Sequence, residues 1–413
     1  MQSRGLTLMI LFPEGQPTTL ETFQEYRASG GYEAVRKNPS PAAILQEVTS
    51  SGLRGRGGAG FPVGKKWGIA AETGISPRYV VCNAGEDEPG SFKDRTLMEH
   101  RPHLVLEGII LAARAIQAEQ AFLYINETYD DCFARMSTAI EEAVRAGYAG
   151  PIRLTTHRAP TVYVAGEDSA SLEVLEGKPP LPRPKPPYPA AAGLFGKPTV
   201  VNNVETLANI APIVRNGASW FRTYGTAESP GTMIFCLGEE MNHPGAYELP
   251  CGTSLRHLYE EIGGGLKNGK KLKAILPGGP SCAFLPADHL EVRLDPESLR
   301  QAGSSLGCGV MRFYSDTTCM VEETLQLAQF FARESCGQCP ACRMETMMLS
   351  AMLERILQGK AGAALFDQFQ NILDFNRSKG YCALINMPGP PVMSALRLFR
   401  GEFEHHLSYG TCP

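Results

Sequence analysis

Tyr79-Val-Val-Cys82 and Phe122-Leu-Tyr-Ile125 are short apolar runs, and a helical pattern over Leu104–Ala118 lies between them. A second helical pattern, Phe133–Ala146, comes after. Four-residue runs rich in β-branched and aromatic residues read as buried strands. Their alternation with helices predicts a largely parallel sheet, because parallel neighbours need a crossover between them. The pattern extends from Arg78 to about Phe221. It is interrupted by the proline-rich stretch Lys178–Pro189. Proline lacks an amide hydrogen and fixes φ, so this stretch must be extended, as a long functional loop or a wrapping segment. A helical pattern resumes over Asn202–Val214.

Ahead of the first strand, an amphipathic helix over Ala42–Leu53 runs into Gly55-Arg-Gly-Gly-Ala-Gly60, and a second helix is predicted over Gly64–Glu72. Beyond the sheet the elements shorten: a strand at Met233–Leu237, a helix at Ser254–Ile262, a strand at Lys273–Leu276, then Gly-Gly-Pro turn chemistry. One helix among several strands suggests a small β-grasp-like module. From Thr318 onward the sequence is helical, with Glu322–Glu334, Met344–Leu357 and Ala363–Phe375 as candidates. The chain thus divides into 1–65, an N-terminal segment with the glycine-rich loop; 66–228, the parallel-sheet domain; 229–317, the β-grasp domain; and 318–413, a helical domain.

A length of 413 residues suits two or three domains. Hydrophobic content of 43% and charged content of 20% exclude a disordered, collagen-like or coiled-coil chain. The net charge of −4 gives no basic field for nucleic acid. The longest apolar stretch, Leu104–Ala113, is broken by Glu107 and falls far short of the ~20 residues of a membrane helix. Arg4 precedes an apolar run, Leu6–Phe12, but that run meets Pro13-Glu14 with no small-residue cleavage site, so export is not expected. The chain reads as cytosolic, where twelve cysteines need an explanation other than disulfides. Cys82, Cys132, Cys236, Cys251, Cys282, Cys308, Cys319 and Cys412 are scattered and read as small buried hydrophobes.

Cys336, Cys339 and Cys342 are different. Three thiolates three residues apart wrap three corners of an iron–sulfur cubane and leave the fourth to a distant cysteine. Zinc sites more often use two separated pairs. Cys382, in Gly380-Tyr-Cys-Ala383, is the natural fourth ligand, and Cys412 is its rival. Residues 343–381 suffice for a helical hairpin that returns the chain, and Pro388-Gly-Pro-Pro391 stiffens the loop beyond Cys382.

Gly55, Gly57 and Gly60 fit G-x-G-x-x-G, but a helix precedes them and the acidic run Glu86-Asp-Glu88 comes after a strand rather than ending one. An ordinary dinucleotide fingerprint needs the opposite order. The glycines still allow backbone amides to approach a planar or phosphorylated ligand, and Lys65 and Lys66 stand just downstream to neutralise phosphate.

Several motifs in order carry a resemblance: Ser51-Gly-Leu-Arg-Gly-Arg-Gly-Gly-Ala-Gly-Phe-Pro62, Asn83…Glu86…Pro89-Gly90, Tyr163-Val-Ala-Gly-Glu167, Gly196-Lys-Pro-Thr-Val-Val-Asn-Asn-Val-Glu-Thr206 and Glu334-Ser-Cys-Gly-Gln-Cys-Pro-Ala-Cys-Arg343. Together they resemble the NADH-binding flavoprotein subunit of respiratory complex I, from about residue 30 to 405. The resemblance implies an α/β fold: a Rossmann-like parallel-sheet FMN/NADH domain, a small β-grasp (ubiquitin-like) domain, and a C-terminal helical bundle carrying one [4Fe–4S] cluster. It implies that Gly55, Gly57, Gly58, Gly60 and Lys66 lie along FMN and NADH, with Phe61 near the adenine. Asn83, Glu86, Glu88, Tyr163, Gly166, Glu167 and Asp168 would line the flavin pocket, with Glu86 and Glu167 setting its electrostatics. Lys185 and Tyr188 would approach NADH from the proline-rich loop. Asn202, Asn203 and Thr206 would hold the ribityl-phosphate, and Cys336, Cys339, Cys342 and Cys382 would ligate the cluster. Implied partners are a thioredoxin-like [2Fe–2S] subunit and a larger multi-cluster iron–sulfur subunit. These would place the chain peripherally on the cytoplasmic face of the inner membrane, without insertion of its own.

Three positions depart from the family pattern. Gly85 replaces an aspartate, Asp168 a glutamate, and Ile69 an aromatic. Loss of a stacking face near adenine is worth roughly 0.5–1.5 kcal/mol. Two other readings stand beside NADH oxidation for a quinone-reducing complex. One is the diaphorase subunit of a soluble NAD-reducing hydrogenase or formate dehydrogenase. The other is a structural electron relay with impaired NADH oxidation.

Overall fold

The computed structural model describes residues 9–413; Arg4 and the start of the Leu6–Phe12 run lie outside the described residues. Four strands, β1 (Tyr79–Ala84), β2 (Gln120–Asn126), β3 (Arg153–Ala159) and β4 (Thr199–Asn203), form a sheet of order β3-β2-β1-β4. Every pair is parallel, with Val81 opposite Phe122 on one side and Val201 on the other. Alternation along the strands sends Val80, Cys82 and Ala84 to the main core, and Val81, Tyr124 and Val201 to a smaller one with Leu172 and Leu194.

The helix Pro102–Ala115 fills the main core and is buried on nearly every side. Glu107, the charge that interrupts its apolar run, is buried too. Its carboxylate accepts from Tyr26 Oη at 2.5 Å and from the amides of Tyr32 at 2.7 Å and Val35 at 3.3 Å. A buried carboxylate is tolerable only when so satisfied, and these bonds fasten residues 26–35 over the core. Glu248 does the same for the N-terminal run: it accepts from the amides of Ile10, Leu11 and Phe12, all buried.

The second sheet contains β5 (Thr232–Leu237), β6 (Gly245–Pro250), β7 (Leu272–Leu276), β8 (Leu285–Pro286) and β9 (Val310–Ser315) in the order β6-β5-β9-β7-β8. The central β5/β9 pair is parallel and the rest are antiparallel. Leu255 and Leu258 pack on one face from a single helical segment, which is the β-grasp arrangement. That segment is helical over 255–262, close to the predicted Ser254–Ile262, with its last part, His257–Ile262, wound as a π-helix.

Five longer helices complete the chain: Met320–Glu334, Pro340–Leu357, Leu365–Asn376, Gly389–Leu398 and Arg400–Tyr409. The last two extend beyond the predicted set. Val321, Leu353, Phe369, Val392 and Phe403 make their common core. Each such buried side chain contributes roughly 1.5–3 kcal/mol.

One further expectation is corrected. Asn202–Val214 is not one helix. Asn202 and Asn203 end β4, and the helices Val204–Ala208 and Ile210–Asn216 come next. Asn203 stops the strand by capping, its Oδ1 accepting from Glu205 N at 3.0 Å. The edge strand β3 has no counterpart in the apolar pattern, because Arg153-Leu-Thr-Thr-His-Arg-Ala159 is polar and largely half-exposed. No regular element lies between Leu175 and Pro189, as the prolines require.

Candidate functional site

The chain leaves β1 toward β2 and β3, then returns to β4 on the other side of β1. At this switch point the loops after β1 and β4 diverge and leave a crevice at the carboxyl ends of the strands. A cleft of about 530 Å³ occupies it. Gly55, Gly57, Gly58, Gly60, Phe61 and Lys66 line it from the glycine-rich loop and the helix Val63–Glu72. Asn83, Glu86 and Glu88 enter from β1 and its loop, and Asn202, Asn203 and Thr206 from β4 and the short helix behind it. Tyr163, Gly166, Glu167 and Asp168 come from the turn that opens the helix Asp168–Leu175, and Lys185 from the proline-rich loop. Tyr188 is not brought to the wall; it is 62% exposed. Ile69 is also exposed and off the wall.

The glycine loop leaves real space. A Cβ on Gly60 would meet nothing within 4 Å, whereas one on Gly57 would sit 3.2 Å from the Cβ of Asn203, itself on the cleft wall. A side chain at 57 therefore presses on the wall as well as on any ligand. Gly58 has φ of +100°, a conformation that only glycine adopts without strain.

The two glutamates singled out from sequence turn out to be helix caps. Glu86 accepts from Asp94 N and Arg95 N, both at 2.9 Å, and from Ser91 Oγ at 2.5 Å. Burial, reinforced by the charge of Asp94, pushes its carboxyl up to about 7. Glu167 accepts from Ser169 N and Ala170 N at 2.9 Å. Lys185 reaches down from the proline-rich loop to pair with both Glu167 and Asp168. Burial raises the Glu167 carboxyl, with the neighbouring Asp168 adding to the shift. Asp168 is held low: burial works against its charge, but its hydrogen bond with Glu167 and the nearby Lys185 and Lys66 outweigh that. Lys66 donates to Val201 O at 2.9 Å, and burial lowers its pKa.

At the floor of the cleft, which Lys93, Asp94 and Asn203 line, lies a network that no sequence motif marks. Lys93 is fully buried and pairs with Glu205 at 2.8 Å and Asp94 at 3.1 Å, and it donates to Asn203 Oδ1 at 3.2 Å. Burial disfavours the ammonium, but the two carboxylates outweigh it and raise its pKa. Glu205 accepts in turn from Ile234 N of β5 at 2.9 Å, which ties the cleft to the second sheet. Ser281, Ser305, Gly307 and Cys308 also reach the wall from that sheet's loops. No local pattern announces them, since their role arises only where two domains meet.

A second, smaller cavity is lined by Cys336, Cys339, Cys342 and Cys382. Cys412 is elsewhere, so Cys382 is the cysteine brought to the triad. No three of these four sulfurs lie within 4.8 Å of one another. A single ion bonded at about 2.3 Å to each sulfur cannot span that separation, but a multi-iron cluster can. Cys339 caps the helix Pro340–Leu357, whose N-terminal dipole favours the negative charge of a thiolate-bound cluster. Tyr381 N donates to Cys339 Sγ at 3.4 Å, and Ser335 Oγ lies 3.5 Å from Cys342 Sγ. Val164, Cys382 and Leu384 line both cavities, so the two sites share a wall one residue thick. Tyr163 bridges them as well: its ring meets Phe330 edge-on at 5.1 Å and its hydroxyl lies 3.6 Å from Met387 Sδ.

Of the scattered cysteines, Cys82, Cys132, Cys236, Cys251 and Cys282 are buried as predicted. Cys308 faces the cleft, Cys319 is half-buried, and Cys412 is exposed.

Likeness to known proteins defines the class first. Residues 48–212 match the family model described as Nuo51 FMN-binding domain, and residues 322–406 match the NADH-ubiquinone oxidoreductase-F iron-sulfur binding region. The chain thus carries a flavin-binding domain and a [4Fe–4S] region together. It is 43% identical over 399 residues to the F 2 subunit of the NADH-quinone oxidoreductase of Rhizobium meliloti, covering 94% of this chain and 95% of that one. It is 38% identical over 404 residues to the F subunit of the Escherichia coli enzyme, covering 94% and 90%. The solved structure of an H2-reduced NAD+-reducing [NiFe]-hydrogenase superimposes with a TM-score of 0.86 at 37% identity, over 94% of this chain and 67% of that one. The chain belongs to the family of NADH-quinone oxidoreductase F subunits.

Proposed function

We infer that the chain is the NADH-oxidising subunit of a quinone-reducing complex. FMN would sit in the large cleft, NADH at its mouth, and one [4Fe–4S] cluster between Cys336, Cys339, Cys342 and Cys382. NADH gives up two electrons as a hydride while a cluster accepts one, and bound FMN supplies the conversion. The single observation that carries this reading is the wall shared by the two cavities, Val164–Cys382–Leu384.

The chain's own residues position and exclude. Gly58 and Gly60 admit a planar ring against backbone, and Phe61 stands 41% exposed at the cleft with Lys65 Nζ over its ring at 5.9 Å, an aromatic and a cation together for a nucleotide. Lys66, and Thr206, whose Oγ1 accepts from Arg56 N at 2.8 Å, offer donors on one wall for a phosphate. Glu86 and Glu167, both engaged as caps, hold the starts of two helices against the cleft. Lys185 pins the proline-rich loop over the cleft. The division at residues 65, 228 and 317 belongs to the same reading: the first two parts supply most of the cleft, the third and fourth close it with residues such as Cys308 and Leu384, and the fourth supplies the cluster cysteines.

The partners that fit are a thioredoxin-like [2Fe–2S] subunit and a larger multi-cluster iron–sulfur subunit, which would hold the chain on the cytoplasmic face of the inner membrane. Among the described residues no helix is long and apolar enough to cross a membrane. Adding NADH to the purified protein under argon should bleach the oxidised-flavin band near about 450 nm. A flavin that stays oxidised would favour the electron-relay reading. The hydrogenase likeness supports the diaphorase alternative, which co-purifying subunits would decide.

A further inference from the structure

Cys319, His406 and Cys412 come from three separate points in the chain, yet their ligand atoms all lie within 4.8 Å of one another. Cys319 immediately precedes the helix Met320–Glu334, and His406 lies on the inner side of Arg400–Tyr409. Cys412 returns to them because the chain turns at Gly410, whose φ is +69° and whose amide donates to His406 O at 2.8 Å. His405 Nδ1 holds the same turn against Thr411 O at 2.7 Å. None of the three takes part in the flavin cleft or the cluster cavity.

The geometry points to a zinc site of two thiolates and one imidazole that clasps the C-terminal tail to the start of the helix Met320–Glu334. Tetrahedral zinc, with bonds of about 2.3 Å to sulfur and 2.0–2.1 Å to nitrogen, places neighbouring S and N ligands about 3.6 Å apart. His406 Nε2 is 3.3 Å from Cys319 Sγ. His406 Nδ1 is 3.2 Å from Leu357 O. That carbonyl can only accept, so Nδ1 carries the hydrogen and Nε2 presents its lone pair to the sulfurs. A metal-bound histidine is oriented in this way by its outer partner. The ring is buried, so this orientation is fixed before any ion arrives.

The surroundings set the ligand count. Glu402, on the same helix as His406, has its two oxygens engaged by Lys273 Nζ at 2.7 Å and Met320 N at 3.0 Å, and it is not part of the group. The fourth position is therefore left to water, as in other three-ligand zinc sites. Binding replaces the two thiol S–H bonds with S–Zn bonds and releases the two protons to solvent, with no change of oxidation state. Sulfur-rich donor sets favour zinc over the harder divalent cations.

The test uses the full-length protein with FMN and cluster in place, purified in reducing buffer without chelator and given Zn2+ in slight excess before gel filtration. Metal analysis should return about one zinc per chain, and absorption at the zinc edge should show two sulfur neighbours and one nitrogen. Cys412→Ser, a change at an exposed residue, should lower retained zinc more than about tenfold while iron stays at the wild-type level, and Cys319→Ser should do the same. Zinc below about a tenth of an equivalent, or equal zinc in Cys412→Ser, overturns the site. So does zinc that leaves with Cys382→Ala instead, since it would then be an ion lodged among the cluster cysteines. A Cys319–Cys412 disulfide persisting in the reduced protein overturns it as well.

Discussion

Cys336, Cys339 and Cys342 are supplied by seven consecutive residues and need only Cys382 from elsewhere, whereas Cys319, His406 and Cys412 converge from positions up to 93 residues apart. The first set carries its geometry in its spacing. Cys336 and Cys339 stand in the turn that leads into the helix Pro340–Leu357, and Cys342 stands in that helix's first turn, so chain connectivity alone keeps the three close. The second set exists only once Arg400–Tyr409 has docked, through Phe403, against Leu353 and Val321. A locally encoded site is legible in sequence and survives distant change, while one assembled from a distance is invisible in sequence and depends on the packing around it.

Exchanging the roles of the two lone cysteines puts this contrast under the most strain. Cys382→Ala should abolish or degrade the cluster, with iron falling to a small fraction of wild type. Cys412→Ala should leave iron unchanged, because Cys412 lies outside the cluster cavity. Equal iron loss in both variants, or in neither, would remove the assignment of Cys382.

The same contrast separates the cleft's wall from its floor. Much of the wall is readable: the glycine-rich loop, Asn83, Gly166–Asp168 and the two asparagines ending β4 are short polar or glycine motifs at the ends of apolar strands. The floor is not. Lys93 stands at the start of the helix Lys93–His100, where sequence alone suggests a solvated charge, and its burial depends on Glu205, 112 residues later. The two-sheet plan is also legible from apolar runs and their connections. The edge strand β3 and the split after Asn203 are hidden, because a polar edge and a capping asparagine both override the period of the pattern.

Lys93→Met tests the floor. It removes the cation between Asp94 and Glu205 and leaves buried carboxylates without a partner, a change that costs about 3–5 kcal/mol in comparable networks. The urea midpoint should fall accordingly and FMN should be lost with it, while the cysteine cluster, formed in a separate helical core, keeps its iron in the folded fraction. A midpoint within error of wild type would show that the pair contributes nothing net.

A smaller effect comes from Glu88, which lines the cleft and whose carboxyl burial pushes up to about 7 despite a hydrogen bond from Tyr163. Between its ordinary value of 4.5 and about 7, the folded chain holds a proton that the unfolded chain has released. Stability from this group is therefore complete below about pH 4.5 and is lost as pH rises through 7. Glu88→Gln cannot lose that proton. Its stability relative to wild type should rise between pH 5 and pH 8, as read from paired urea midpoints; a difference independent of pH would show Glu88 ionised throughout.

The mildest change is at Gly85, where the chain departs from its family. Gly85 lines the cleft and has an ordinary backbone conformation, so a side chain is admissible there. Its Cβ would lie 3.3 Å from Tyr124 Cε1 and 3.5 Å from both Ala159 Cβ and Asn83 Oδ1. That is tight enough to restrict the rotamer but not to exclude the residue. Gly85→Asp adds a negative charge beside the flavin position, and at an effective dielectric near 20 such a charge several ångströms away is worth roughly 1–3 kcal/mol. For a two-electron couple ~1.4 kcal/mol corresponds to about 30 mV, so the flavin potential should fall by a few tens of millivolts. The same charge repels a further phosphate, so the ratio of NADH to NADPH oxidation should rise. Asp168, held low beside Lys185 and Lys66, already supplies negative charge in the same cleft and limits how far that ratio can move. A titrated potential and a nucleotide ratio that both stay unchanged would mean that position 85 senses neither flavin nor nucleotide, and Asn83–Glu86 would have to be withdrawn from the pocket.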